Sequence, residues 1–274
     1  MFPRVMKECQ ERVAQIVNSH DLIQQVFSRP DDYSRASYLI PQLFIELGYG
    51  ALTNADMEHD LRSSGAAFSL VCLSCGVADD LIDSSRLAFE DRMALGAAAL
   101  AFAGQGWMMI AQISDDARRQ LLSHTLSAFI ADGLQTAKRE IAYAGNNTFA
   151  LESYTSISTD KAGIYIRHSL LLAHALSNSD PIFIDVLLQL SSALGLAMQL
   201  IDDILDCNET PETLEQGLTY PAFLLRTQGD LGPAYLLIDE QLEAAQNICG
   251  QLPYPYHILT PVTRLRSLLI RHHG

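Results

Sequence analysis

Apolar residues recur at three- and four-residue intervals along almost the whole chain, and no stretch alternates apolar and polar residues as a strand does. The period predicts helices over 34–48, 57–84, 90–113, 115–143, 149–177, 181–207, 217–226, 231–248 and 257–272. Boundary signals agree with it. Asp31 and Ser34 can cap the first helix, Gly145-Asn146-Asn147 stops one mid-chain, Asp180-Pro181 starts another, and Pro253 to Pro255 precede the last. Two segments lack an amphipathic pattern: 63–78 (SSGAAFSLVCLSCGVA) and 186–201 (VLLQLSSALGLAMQLI) carry no charge over sixteen residues each. Helices apolar nearly all round belong at a core. No low-complexity linker or internal repeat divides the chain, so it reads as all-α, a single-domain helical bundle over 1–274.

Composition narrows the partners. Hydrophobic residues make up 49% of the 274 and charged ones 18%, and the formal charge is −14 with only three lysines, Lys7, Lys138 and Lys161. That balance repels nucleic acid and anionic membrane surfaces. The run 93–114 is long enough to span a bilayer, but it is rich in Ala and Gly and lacks aromatic or basic anchors, so it is expected as a buried bundle helix rather than a membrane span. The opening MFPRVMKECQER turns polar at once and is not read as a secretory signal. A soluble, cytoplasmic protein is expected. Cys72 and Cys75 form a CxxC spacing with no second pair, and read as small buried hydrophobes.

The chemistry lies where the two uncharged helices end. Residues 79–83 read Asp79-Asp80-Leu-Ile-Asp83, and 202–206 read Asp202-Asp203-Ile-Leu-Asp206. On a helix, Asp79 shares a face with Asp83 and Asp202 with Asp206, while Asp80 and Asp203 lie about 100° round, at its edge. Carboxylates four apart repel, and a helix C-terminus adds to the cost. A cation relieves both. Hard oxygen donors with few nitrogen or sulfur donors nearby select Mg2+, which keeps waters and takes substrate phosphate oxygens as further ligands.

VADDLIDSS and MQLIDDILDCNE resemble the two aspartate-rich motifs of the class I trans-isoprenyl diphosphate synthases, the polyprenyl synthetase family. STDKAGIYIRHSLLLAHAL resembles that family's KTG-type segment, and QGLTYPAFLL its GKxTxPxLLA segment. The resemblance implies the isoprenoid synthase fold with a central apolar cavity, up to three Mg2+, an allylic prenyl diphosphate as substrate and a candidate homodimer. It makes Asp79, Asp80, Asp83, Asp202, Asp203 and Asp206 candidate catalytic residues, with Asp79, Asp83, Asp202 and Asp206 as metal ligands and Lys161 on the diphosphate. Neutralising the leaving diphosphate lets an allylic C–O bond ionise, so cations and not a nucleophile supply the catalysis. Phe68, Trp107, Phe129 and Tyr165 could face a carbocation and Gln135 a cavity, with plain core or solvated positions as the alternative reading.

The chain also departs from the family. Elongating members bind isopentenyl diphosphate through a GGKRxRP stretch, and here Arg35 to Pro41 read RASYLIP. An arginine pair follows their first motif, where this chain has SSRLAFED with only Arg86, and the GKxT lysine is Leu218. A second buried diphosphate without cations costs several kcal/mol. The expectation is therefore a degraded isopentenyl diphosphate site. Arg35 and Arg86 remain weak candidates for diphosphate, and Arg264, Arg266 or Arg271 could substitute. The first functional reading is a terpene synthase (cyclase). Behind it stand prenyl transfer to an acceptor of another kind, chain elongation, and a non-catalytic partner subunit. Small residues before the first motif, Cys75 and Gly76, leave room for a tail of fifteen to twenty carbons.

Overall fold

Both uncharged segments run as unbroken helices, as their period predicts, although they carry several glycines and serines. A computed structural model describes residues 40–83, 88–146, 148–209 and 218–273. Among these there are nine α-helices and no strand: α1 Ile40–Thr53, α2 His59–Asp83, α3 Phe89–Ala111, α4 Asp116–Ala144, α5 Leu151–Ser177, α6 Ile184–Glu209, α7 Tyr220–Thr227, α8 Gly232–Cys249 and α9 Tyr256–His273. All nine expected helices are present. Asp180 caps a short 3₁₀ turn, Pro181–Phe183, by accepting from Ile182 N at 3.0 Å, so α6 starts three residues later than its proline implied. Thr219 caps α7, with Pro221 in its first turn. The candidate caps Asp31 and Ser34 lie outside the described residues.

The helices gather into two compact units. One comprises the described residues of Met1–Tyr49 and Ala55–Leu126, the other those of Gly50–Asn54 and Ser127–Gly274.

In the first unit α2 is the buried element. Every residue from Ser64 to Ser74 is buried, and a Cβ at Gly65 would lie 2.8 Å from the Gln42 amide oxygen on α1. Ser64 and Ser74 satisfy their hydroxyls on Asp60 O and Val71 O, which lets a polar residue sit inside an apolar helix. α3 packs against α2 through Gly106, where a Cβ would meet Val71 Cγ2 at 2.7 Å and Ala67 O at 2.9 Å. The expectation that α3 is buried needs correcting. Ala94, Leu95, Ala98, Phe102, Gly106, Met109 and Ile110 are buried, but Phe89, Met93, Leu100, Trp107 and Met108 are exposed. A 3.6-residue period cannot separate a helix with one covered face from one covered all round when both faces are apolar. By length and composition His59–Asp79, Phe89–Ala111 and Pro181–Cys207 could each cross a membrane.

In the second unit α5 and α6 lie along one another with backbones in close approach. A Cβ at Gly195 would sit 2.5 Å from Gly163 Cα and 2.7 Å from Thr159 O. Leu187, Leu190, Leu194, Ala197 and Leu200 are buried on α6, as are Ile164, Ile166, Leu170, Leu172 and Ala173 on α5. The end of α1 belongs here. Gly48 and Gly50 are poor helix formers, which argues for a stop at residue 48. Gly50 instead makes room for the His257 ring, Tyr254 N donates to Ala51 O at 3.0 Å, and Asn54 ends the helix in the left-handed region at φ 57°.

Candidate active site

The two aspartate motifs belong to different units. The first occupies the last turn of α2, His59–Asp83, as its position behind the uncharged segment implied. Asp79 is half-buried. Burial pushes the Cys75 thiol up, a hydrogen bond with Ser74 opposes this, and the Asp79 charge adds to the rise. Cys72 is fully buried and its thiol is raised further by the same cause, so the CxxC pair sits as the small hydrophobes it was read to be. The side chains of Asp80 and Asp83 lie outside the described residues, as do Arg35 and Arg86.

The second motif forms the C-terminal turn of α6. Asp202 is exposed and Asp206 half-buried, one turn apart. Asp203 points elsewhere: it is only 6% exposed, accepts from the Tyr154 hydroxyl on α5 at one oxygen, and accepts from Gln199 Nε2 at 2.9 Å at the other. Burial raises its carboxyl to about 6; Tyr154, Gln199 and Lys161 pull it down, and Asp202 adds to the rise. Burial and the Asp203 charge together push the Tyr154 hydroxyl upward. The sequence placed Asp203 at the edge of the face shared by Asp202 and Asp206. In the structure that rotation is enough to turn it into the protein.

Lys161 lies on α5 and its charge is felt at Asp203. Its ammonium donates to Glu140 Oε1 on α4 at 2.8 Å. Arg139 and Arg167 lie close by and share Asp160 between them, at 2.6 and 2.7 Å. The KTG-type glycine, Gly163, is the residue that lets α5 meet α6 at Gly195, and so sets Lys161 beside the second motif. Leu218, where the family has its lysine, presents its carbonyl to the Tyr143 hydroxyl at 3.1 Å. Beside it Phe149 stacks on Phe223 at 4.4 Å and on Tyr220 at 6.0 Å, with the Tyr154 ring tilted against Phe149 and Tyr220.

Residues 40–219, more than half of the chain, match the polyprenyl synthetase family. The chain belongs to that family. A heptaprenyl diphosphate synthase from Staphylococcus aureus superposes on this chain with a TM-score of 0.71 at 18% identity, over 97% of this chain and 98% of the other. A geranylgeranyl pyrophosphate synthase from Lactobacillus brevis gives 0.70 at 16% over 98% and 96%. A third, from Corynebacterium glutamicum and complexed with calcium and isoprenyl diphosphate, gives 0.69 at 16% over 99% and 96%. At these identities the likeness establishes the all-α isoprenoid synthase fold. No curated protein matches the chain.

Other candidates raised by the sequence fall as follows. Phe68 and Phe129 are fully buried core, Tyr165 is half-buried with its ring edge-on to Phe129 at 5.1 Å, and Trp107 and Gln135 are exposed. Arg266 is engaged by Asp239 at 2.6 and 3.0 Å and by Glu243 at 3.0 Å, which holds the Asp239 carboxyl below its ordinary value. Arg264 is exposed, and the Arg271 side chain lies outside the described residues. Tyr154, Gln199 and Glu140 were missed by sequence reasoning. The i, i+4 spacing of Gln199 and Asp203 was visible, whereas Tyr154 and Glu140 reach their partners across helices.

Asp203 makes a pH prediction for the metal-free protein. Its folded carboxyl titrates above the unfolded value of 3.8, so its favourable contribution is complete below that value and is lost as pH rises through about 6. Asp203→Asn removes the cost of ionisation. In EDTA the variant is expected to be more stable than wild type at pH 7.5, by up to about 3 kcal/mol. The gap should close toward pH 4, and melting curves across that range check it.

Proposed function

We propose that the chain is a Mg2+-dependent class I isoprenoid synthase that ionises an allylic prenyl diphosphate of fifteen to twenty carbons. The observation that carries the reading is the second motif: Asp202 and Asp206 at the end of an apolar helix, with Asp203 turned inward and Lys161 alongside. The donor set fits the metal. Among the described residues no group of three or more His, Cys, Asp or Glu could hold a metal ion. Mg2+ needs only one or two carboxylates when diphosphate oxygens and water complete its shell. Asp79, Asp83, Asp202 and Asp206 are the proposed ligands, for up to three ions, within one catalytic domain over 1–274. Family membership and the likeness to a synthase complexed with calcium and isoprenyl diphosphate support this.

Bound Mg2+ would supply charge neutralisation of the leaving diphosphate. The protein's part is electrostatic and steric. Asp202 and Asp206 fix where the diphosphate sits, and Lys161 exchanges Glu140 for a phosphate oxygen, adding a cation where negative charge grows. The apolar side chains of α6 keep water from the tail.

For the fate of the cation, cyclisation or water capture is the first reading, because the lysine and two arginines of GGKRxRP are missing from RASYLIP, the arginine pair is reduced to Arg86 in SSRLAFED, and Leu218 replaces the GKxT lysine. Chain elongation is the second reading, favoured by the activities named for the S. aureus and L. brevis structures. Prenyl transfer to another acceptor is the third. Incubation with Mg2+ and geranyl, farnesyl or geranylgeranyl diphosphate, each with and without isopentenyl diphosphate, separates them by mass spectrometry. Hydrocarbon or alcohol from the allylic substrate alone supports the cyclase. A longer diphosphate formed only with isopentenyl diphosphate overturns it in favour of elongation, and diphosphate release without a new terpene indicates a missing acceptor.

The same reading includes a homodimer. On the exposed face of α3, Met93, Leu100 and Trp107 recur every seventh residue and alternate with Ala97, Gly104 and Ala111, so the large side chains of a second copy can enter the gaps of the first. Sedimentation should show a dimer that Leu100→Glu dissociates, and a monomeric wild type would contradict it.

A further inference from the structure

We propose that Tyr154 is a positioning residue of the second aspartate motif, holding Asp203 inward so that the same turn of α6 presents Asp202 and Asp206 outward. The inference rests on the functional reading above and deepens it.

The geometry for this is complete at both ends of the tyrosine. Its ring is buried, with Phe149 at 6.0 Å and Tyr220 at 6.4 Å on tilted planes, and Phe149 is itself stacked on Phe223. Those rings come from the connection before α5 and from α7, so two further elements fix the tyrosine's direction. The connection is tied down in turn. Ala150 N donates to the Tyr143 oxygen at 3.2 Å, while the Tyr143 hydroxyl donates to Leu218 O. At its polar end the Tyr154 hydroxyl donates to Asp203, whose second oxygen takes the Gln199 amide.

Consecutive aspartates at a helix end have a choice of which carboxylate to turn outward. Holding both oxygens of Asp203 within the protein makes that choice before any metal arrives. Asp202 and Asp206, one turn apart, are then the pair that meets solvent. Groups that orient metal ligands without touching the metal change its affinity about 10- to 100-fold when removed. Tyr154 differs from such a group only in acting through the neighbour of the ligands. Its loss frees Asp203 to compete for the outward position.

The test is calorimetric titration of inorganic pyrophosphate into protein in excess Mg2+, for wild type, Tyr154→Phe, Asp203→Asn and the double variant. Melting curves in EDTA report the fold separately. Tyr154→Phe is expected to weaken pyrophosphate binding about tenfold. In the Asp203→Asn background the same change should alter binding less than about twofold, because the two residues act as one unit. Gln199→Leu, which frees the other oxygen, should weaken binding in the same direction and keeps the idea testable if Tyr154→Phe folds poorly. Tyr154→Phe that melts lower yet binds as wild type does, or binds more tightly, overturns the proposal, as do effects that multiply in the double variant. Wild-type protein that binds no pyrophosphate in Mg2+ sinks the functional reading itself, a result distinct from all of these.

Discussion

Alanine at Asp202 is expected to lower kcat/KM for an allylic diphosphate by about a thousandfold, the upper range for removal of one preorganised electrostatic contact, while leaving the fold untouched. Both halves follow from one placement. Asp202 is exposed at the C-terminal end of α6, one turn from Asp206. A carboxylate there is disfavoured by the helix dipole and by its i+4 neighbour, which offsets what its other contacts contribute, so the melting temperature of the metal-free protein is expected to change little. Asp79→Ala at the end of α2 should behave alike in activity. Steady-state rates together with melting temperatures check the pair of outcomes. An active Asp202→Ala protein would remove the residue from the metal site. An inactive one that melts well below wild type would show a structural role instead.

Gly195→Ala is expected to be the most damaging of the glycine-to-alanine substitutions along the α5–α6 contact, at about 3 kcal/mol or more. The added methyl meets Gly163 Cα, Gly163 N and Thr159 O, all backbone atoms between 2.5 and 2.7 Å away, and no side-chain rotation relieves that. α5 must move off α6, which also carries Lys161 and Tyr154 away from the second motif. Gly163→Ala should cost less, since its nearest atom is Ser191 O at 3.3 Å. Gly133→Ala serves as the control. Its Cβ would find Ile164 Cδ1 at 3.7 Å, an ordinary contact, so the better helix propensity of alanine should stabilise by about 0.5–1 kcal/mol. Denaturant melts of the three variants order them. A Gly195→Ala protein as stable as Gly133→Ala would contradict the close approach of the two helices.

The fold was readable because period and boundary chemistry are local. Asp180, Thr219 and the prolines beside them mark helix starts through contacts within a few residues, and an uncharged sixteen-residue run has few ways to be satisfied except at a core. What was not readable is long-range. Both faces of α3 are apolar, so the sequence could not show that Leu100 and Trp107 lie exposed while Phe102 is buried. The spacing of Asp202, Asp203 and Asp206 identified the motif, and a helical wheel put Asp203 at the edge of its face. Only Tyr154, forty-nine residues away, shows that the carboxylate turns inward. The pairing of Lys161 with Glu140 and of Arg266 with Asp239 depends likewise on which helices are neighbours.

Release of inorganic diphosphate from geranylgeranyl or farnesyl diphosphate, followed with Mg2+ and with EDTA, tests the central claim most directly. Release is expected to require Mg2+ and to disappear in both Asp79→Ala and Asp202→Ala. Release that persists in EDTA, or that survives both substitutions, would contradict it, as would no release from either substrate.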